Sequence, residues 1–326
     1  MSSRSRRSAA LLLALPLLLA GCASAVADSN HASSSVHASE APTSTEAPPS
    51  LPATPVLDSA NDKPLPLDGY LLNPAQLLTV EKAQARLISD CMTRFGFSYT
   101  PPAPVLPGRD SDAPATRIDG RYGRQSTALL ATWGYHPEGG GQPATKPPAE
   151  PPMSTQMATA ERGTSDPKQR FGSGGQTVNG QQVPDRGCIG EAGKRLTGSA
   201  EGLVGDPQFA SDLNLSTLQS ARDDARTQAV FARWSQCMKA AGFSYADPLA
   251  AMGDPAWATT AAPTPHELQV ATADGACRHQ ENVVGVWYTV DYAYQQRAID
   301  ENAAAMAKVR TALATEVQAA TAALGS

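Results

Sequence analysis

Apolar residues recur at spacings of three and four between residues 77 and 95, so that Leu77, Val80, Ala83, Leu87, Cys91 and Phe95 share one helical face. Asn73, Pro74 and Gln76 precede them as N-cap, first-turn proline and capping-box partner, and Gly96 supplies a left-handed stop. The pattern predicts a helix over 73–96. A second run through Ala225, Ala229, Phe231, Trp234 and Cys237 predicts another, beginning near Ser216 with Gln219 as its capping partner and ending at Gly242. The third begins at Thr264-Pro265-His266-Glu267, a strong helix-start signal, and meets no proline before Leu324. Val283, Trp287, Val290, Tyr294, Ile299, Met306, Val309, Leu313 and Val317 keep helical spacing within it. This reads as one very long C-terminal helix, or two with a bend at Gly275 or Gly285. Its aromatic-rich first half is expected to pack, and its alanine-rich end to project or associate with a partner.

Between these runs the signal is weaker. Residues 117–135 read as a short helix ended by Gly134, and 188–203 as a glycine-interrupted one. Thr177 to Val183 reads as a small hairpin around the type I′ turn Asn179-Gly180. Residues 23–66 hold Ser, Ala, Pro and Thr with no Phe, Trp or Tyr and read as a disordered tether; a coil of about 44 residues would span roughly 35 to 40 Å. A second stretch, 136–175, is thick with Pro, Gly and Ser and is expected to be a long disordered loop.

The two cysteine-bearing helix ends are copies of each other. Cys91-Met92-Thr93-Arg94-Phe95-Gly96-Phe97-Ser98-Tyr99 returns as Cys237-Met238-Lys239-Ala240-Ala241-Gly242-Phe243-Ser244-Tyr245, with Pro102 and Pro248 extending the match. Each copy is followed by Asp-x-x-Cys, at Asp185 to Cys188 and at Asp274 to Cys277. The fold class expected is mainly α: two disulfide-stapled helical units, about 70–200 and 214–326, with the long C-terminal helix. If each unit is closed on itself, Cys91 joins Cys188 and Cys237 joins Cys277, one of three pairings that four cysteines allow.

The N-terminus changes the picture from fold to address. Arg4, Arg6 and Arg7 precede a short apolar run, Ala9 to Ala20, and then Leu19-Ala20-Gly21-Cys22. This is the layout of a signal peptide over 1–21, with Cys22 as the lipidated residue and the membrane as its partner. An ordinary secretory signal with Cys22 left free, or an uncleaved helix, are the alternatives, although twelve apolar residues are short for a bilayer of about 30 Å. Ser5-Arg6-Arg7 leaves Sec and twin-arginine export both open. Cleavage removes three arginines and no acid, taking the net charge from −5 to −8. So acidic a chain, with no other cluster of Lys and Arg, argues against nucleic acid. Four remaining cysteines suit an oxidising compartment.

Chemistry is sparse by comparison. The chain has no His-Glu-x-x-His, no Gly-x-Ser-x-Gly, no phosphate-cradling glycine loop and no Cys-x-x-Cys, and nothing in it calls for a cofactor or a metal. His31 and His37 fall in the tether and read as solvated, and His136 as a loop residue. Cys277 with His279 has the residue types of a thiol and its base, but that spacing points the two apart on a helix. Asp185 and Asp274 offer a carboxylate pair for wall hydrolysis, or simply helix-capping groups. Tyr99, Tyr245, Trp234, Trp257 and Trp287 read as core, with Trp234, Trp287 and Tyr294 as candidate ligand or partner contacts.

Taken together, the Leu-Ala-Gly-Cys box, the paired Cys-Met-x-x-x-Gly-Phe-Ser-Tyr, Asp247-Pro248, Asp254-Pro255-Ala256-Trp257, the Thr264 to Glu267 helix start, Val286-Trp287-Tyr288 and Ala293-Tyr294-Gln295-Gln296 carry a resemblance. Over roughly residues 70–310 the chain resembles cell-envelope lipoproteins of high-GC Gram-positive, Streptomyces-type, bacteria. The resemblance implies secretion, two disulfides and a mostly helical body, and supplies no catalytic residue. The expectation is a non-enzymatic, membrane-anchored extracytoplasmic lipoprotein that binds or organises an envelope component, with a long C-terminal helix for the partner. A solute-binding or sensing component with a pocket between the repeats is the second reading. A wall-directed hydrolase using Asp185 and Asp274 is the third.

Overall fold

The computed structural model describes residues 47–101, 121–139, 153–201 and 207–325. The expectations for the signal peptide, Cys22, His31, His37 and the first half of the tether lie outside the described residues. Within them the chain is mainly helical, with one two-stranded hairpin, and both disulfides are formed as the repeat requires, Cys91–Cys188 and Cys237–Cys277.

The first unit is built on α1 (Pro74–Arg94), which the Asn73–Gln76 capping box opens as expected. Its end is closed by Gly96 at φ 80° and by Asn179, whose Nδ2 donates to the Phe95 carbonyl at 2.7 Å. Asn179 sits in the hairpin turn between β1 (Thr177–Val178) and β2 (Gln181–Gln182), and both turn residues have positive φ, as type I′ demands. α4 (Gly187–Thr197) then brings Cys188 to α1. The stretch expected to be a disordered loop contains α3 (Thr155–Arg162), with Ser154 as N-cap and Ala158 to Glu161 buried. About two turns of helix, capped at the start, outweigh the Pro and Gly on either side.

In the second unit, the helix expected from Ser216 is two. α5 (Pro207–Asp223) and α6 (Ala225–Ala240) are separated at Asp224, whose side chain caps α6 through the Arg226 N–H. Ser216 and Gln219 lie inside α5 rather than at a start. After α7 (Pro248–Met252) and a 3-10 turn (Pro255–Thr259), the long C-terminal segment is three helices: α8 (Pro265–Glu281), α9 (Val283–Glu301) and α10 (Ala303–Gly325). The breaks fall at Asn282, in the left-handed region at φ 53°, and at Asn302, not at either glycine. Gly275 and Gly285 are small for packing instead: a Cβ on Gly275 would meet Leu130 and Thr127, and one on Gly285 would strike the Pro55 carbonyl.

α2 (Thr127–Trp133) packs on α8, while α6 and α5 pack on α9, giving a core of Val230, Phe231, Trp234, Met238, Trp257, Val270, Val284, Trp287 and Val290. α10 does not project. Its second half folds back onto α1 and α4, burying Ala320, its first half buries Met306 and Val309 against Leu67 and Ala210, and the Leu324 carbonyl accepts from Arg86 at 3.1 Å. With α1, α3 and α4, α10 completes the apolar core of the first unit.

The expected tether is corrected too, because its second half is a strap. From Ala47 to Leu65 the chain runs extended over the body with Ala60 and Leu65 buried and Leu51 and Leu57 packed on the main core. Its backbone is held by side chains. Arg297 donates to the Ala47 carbonyl, Arg226 to Pro49 and Tyr288 to Pro64, while Gln125 accepts from the Ala60 N–H. Asn282 does both, donating to Pro55 at 2.9 Å and accepting from Leu57 at 3.0 Å, as a neighbouring strand would.

Candidate functional site

On α8, Glu267, Asp274 and Arg278 lie seven and four residues apart, hence on one face, and all three are buried. Asp274 accepts from Arg278 Nε at 2.7 Å, from the Trp234 indole N–H at 2.9 Å and from the Tyr135 hydroxyl at 3.1 Å. The Arg278 guanidinium continues to the Tyr122 carbonyl at 2.6 Å and lies so close over Gly123 that any Cβ there would collide with it. One helix further on, Arg121 grips Asp291 through Nε at 2.7 Å and Nη2 at 3.0 Å, and the Tyr122 hydroxyl donates to the same carboxylate at 2.6 Å. Gln295 and Asn214 complete this second knot. Ion pairs this enclosed are costly to desolvate, and they hold because nearly every lone pair and N–H has a partner.

Segment 121–136 therefore threads a polar seam between α8 and α9. Burial, then the Asp291 charge, pushes the Tyr122 hydroxyl well above its ordinary range, and burial beside Asp274 does the same to Tyr135. Both hydroxyls stay protonated and act as donors. At the near end of the seam His136 lies between Glu267 and the Thr260 carbonyl, 2.8 Å from each. Glu267, which reads from sequence as part of a helix start, is fully buried, and only Thr264 performs the cap. The signal that could have found this seam was three ionisable residues on one face of a predicted helix.

The residues singled out by sequence fall elsewhere than expected. Asp185 is exposed just before α4, and Arg186, in the left-handed region, occupies the cap position. Asp274 sits inside α8, so neither aspartate caps a helix and the two share no open cleft. That removes the geometry the hydrolase reading requires. Cys277 is oxidised, and His279 turns to Asp58 of the strap at 2.5 Å. Trp234 and Trp287 are core residues, Trp287 packed edge-on against Tyr122 and Phe231. Tyr294 is half-buried, its hydroxyl on Asp224 at 3.1 Å and Arg297 over its ring. Both tryptophans are thus core, as expected, and neither offers a surface to the ligand of the second reading.

An open groove of about 490 Å³ lies instead on the outer side of α8, lined by Ala241, Phe243, Leu268, Gln269, Thr272, Ala273 and Ala276. Phe243 belongs to the second Cys-Met-x-x-x-Gly-Phe-Ser-Tyr copy, so the motif does reach a surface feature. A line of ring contacts leads inward from it: Phe243 to His266 at 6.0 Å, His266 to Trp257 at 6.0 Å, and Trp257 stacked on Tyr135 at 5.8 Å. Among the described residues no group of three or more His, Cys, Asp or Glu is placed to hold a metal ion, and no helix is long and apolar enough to cross a membrane. Set beside known protein families, curated proteins and solved structures, the chain matches none.

Proposed function

We propose that this chain is a membrane-anchored extracytoplasmic lipoprotein, held by a lipidated Cys22, that binds or organises an envelope component or membrane partner rather than catalysing a reaction. The observation that carries the binding half of this reading is the α8 groove. It is open, mostly apolar and lined by small side chains, the surface a helix or extended chain of a partner can lie against. The ionisable groups of the interior are paired with one another and closed to solvent, which favours a scaffold role for them. Partner contact is proposed at this groove and not at α10, whose apolar face is already covered by α1 and α4. The anchored half rests on the Leu19-Ala20-Gly21-Cys22 box. A pocket between the repeats, as a solute-binding component would need, finds no comparable support.

Two measurements test this. Loss of palmitate labelling in Cys22→Ser is expected, and labelling that persists rejects the anchor. A photo-crosslinking residue at Gln269 is expected to give envelope adducts in cells, and one at the exposed Lys308 of α10 to give none. Adducts from Lys308 alone, or from neither, would sink the groove as the binding face.

A further inference from the structure

A buried neutral imidazole presents one N–H and one lone pair. His136 has no use for a lone pair. Its Nδ1 faces the Glu267 carboxylate and its Nε2 faces the backbone carbonyl of Thr260, both at 2.8 Å, and both are acceptors. Facing a carboxylate and a carbonyl, only the imidazolium donates to the two at once. The carboxylate also needs it: Glu267 is fully buried, accepts the Tyr135 N–H at 2.7 Å through the same oxygen, and its other oxygen has no hydrogen-bond partner among the described residues. An enclosed carboxylate that loses its counter-charge is strongly destabilising.

We infer that His136 is a protonation lock: as imidazolium it clamps segment 121–139 to the first turn of α8, and loss of that proton as the pH rises releases the clamp beside the groove. The groups facing it come from three elements. Glu267 and the exposed His266 belong to α8, and the Thr260 carbonyl follows the 3-10 turn. From its own segment come Tyr135, Glu138 and Arg124, whose guanidinium donates to the His136 carbonyl. Arg124 also feels the Glu267 charge, but its hydrogen bond goes to that backbone oxygen and not to the carboxylate. The Thr260 carbonyl first, and Glu267 next, raise His136 above its ordinary value. The sign follows: the stabilisation is whole below a pH of about 6.5, the unfolded value, and is lost as the pH rises through the higher folded value. The proton leaves the His136–Glu267 pair as a unit.

The clamp bears on the groove through Tyr135, which stacks on Trp257, and through Leu268, which follows Glu267 and lines the groove. That consequence rests on reading the groove as the binding face; the lock itself does not.

The test is a nitrogen-15 titration of the histidine rings in the full exported chain from pH 5.5 to 9.5, read with amide exchange at Tyr135. Expected are a His136 ring transition above that of an ordinary histidine, with both ring nitrogens protonated below it, and Tyr135 exchange that above it outruns its chemical rate by up to about tenfold per pH unit. A His136 transition at or below the ordinary histidine value, or Tyr135 exchange that only follows the chemical rate, overturns the lock. His136→Gln assigns the signal. Should that variant not fold, Glu267→Gln keeps the acceptor and removes the charge, and the His136 transition is expected to fall toward the ordinary histidine value; an unmoved transition also overturns the proposal. Failure of crosslinking from Gln269 would leave the ring titration intact, so the two readings fail separately.

Discussion

The two cysteine helices end alike but are stapled to different interiors. In each, a serine two residues before the cysteine donates back to the tyrosine carbonyl, Ser89 to Tyr99 at 3.0 Å and Ser235 to Tyr245 at 2.6 Å. Each has its glycine at positive φ, 80° at Gly96 and 94° at Gly242, and each returns the following phenylalanine N–H to the methionine carbonyl. Behind that shared end, the equivalent aspartates are kept but the two positions around them differ together. The second unit has Trp234, Asp274 and Arg278; the first has Ile88, Asp185 and Ile189 in their places. An indole N–H inside a core needs an acceptor, a buried carboxylate needs a cation, and removing one member removes the reason for the others. The first unit therefore leaves its aspartate in water. It closes by backbone approach instead, with Gly163 and Gly187 so near their neighbours that a Cβ on either would strike main chain. The repeat duplicates a helix terminus, not a site.

The largest effect expected from breaking this comparison comes from the staples themselves. The disulfides close rings with sequence separations of 97 and 40, for which chain entropy assigns about 5 and about 4 kcal/mol. Replacing Cys91 and Cys188 by alanine is expected to cost the most of any paired change, and replacing Cys237 and Cys277 slightly less, in denaturant melts at neutral pH. Equal insensitivity to both would mean that packing alone holds the units. Next in size is the aspartate contrast. Asp274→Ala strands Arg278 and the Trp234 N–H, and is expected to cost about 3 to 5 kcal/mol. Asp185→Ala, at an exposed carboxylate, is expected to stay within about 0.5 kcal/mol. Similar costs for the two would show that the units are more alike inside than their side chains indicate.

What the sequence made legible follows the range of the interactions. The α1 capping box, the Asn179-Gly180 turn and the glycine stops are written within a few neighbouring residues, and all are found. The staples were legible because a repeat supplies long-range information that a single copy lacks. The strap was not, since it is fastened by Gln125, Asn282 and Tyr288, more than 60 residues away, while its own composition reads as coil. Asn282 broke the C-terminal helix for a similar reason: its left-handed backbone aims its amide at the strap. Glu267 was misread because a third-position glutamate has a local explanation as a capping residue. Its buried partner His136 sits in a Gly-Tyr-His-Pro turn with no local mark. Groove and seam alike depend on which side of α8 faces inward, and that the periodicity of α8 carries only faintly.

The smallest effect tests the part that is shared. Ser89 and Ser235 each donate one hydrogen bond to the chain as it leaves the glycine stop, tying the aromatic lid of Phe97 and Tyr99, or of Phe243 and Tyr245, to its helix. Replacing either serine by alanine leaves a partly buried carbonyl short of a donor, worth about 1 kcal/mol. Both sites are expected to lose that much, despite one lid lying over an apolar interior and the other over a charged one. The lids differ in their second tie, the Tyr99 hydroxyl going to buried Glu161 and the Tyr245 hydroxyl to Asp254, which with burial raises Tyr245 to about 12. Only if those ties dominate will Ser89→Ala and Ser235→Ala diverge. A difference well above about 0.5 kcal/mol between the two melts would then show that each lid takes its stability from its own unit, and that only the backbone path of the terminus is held in common.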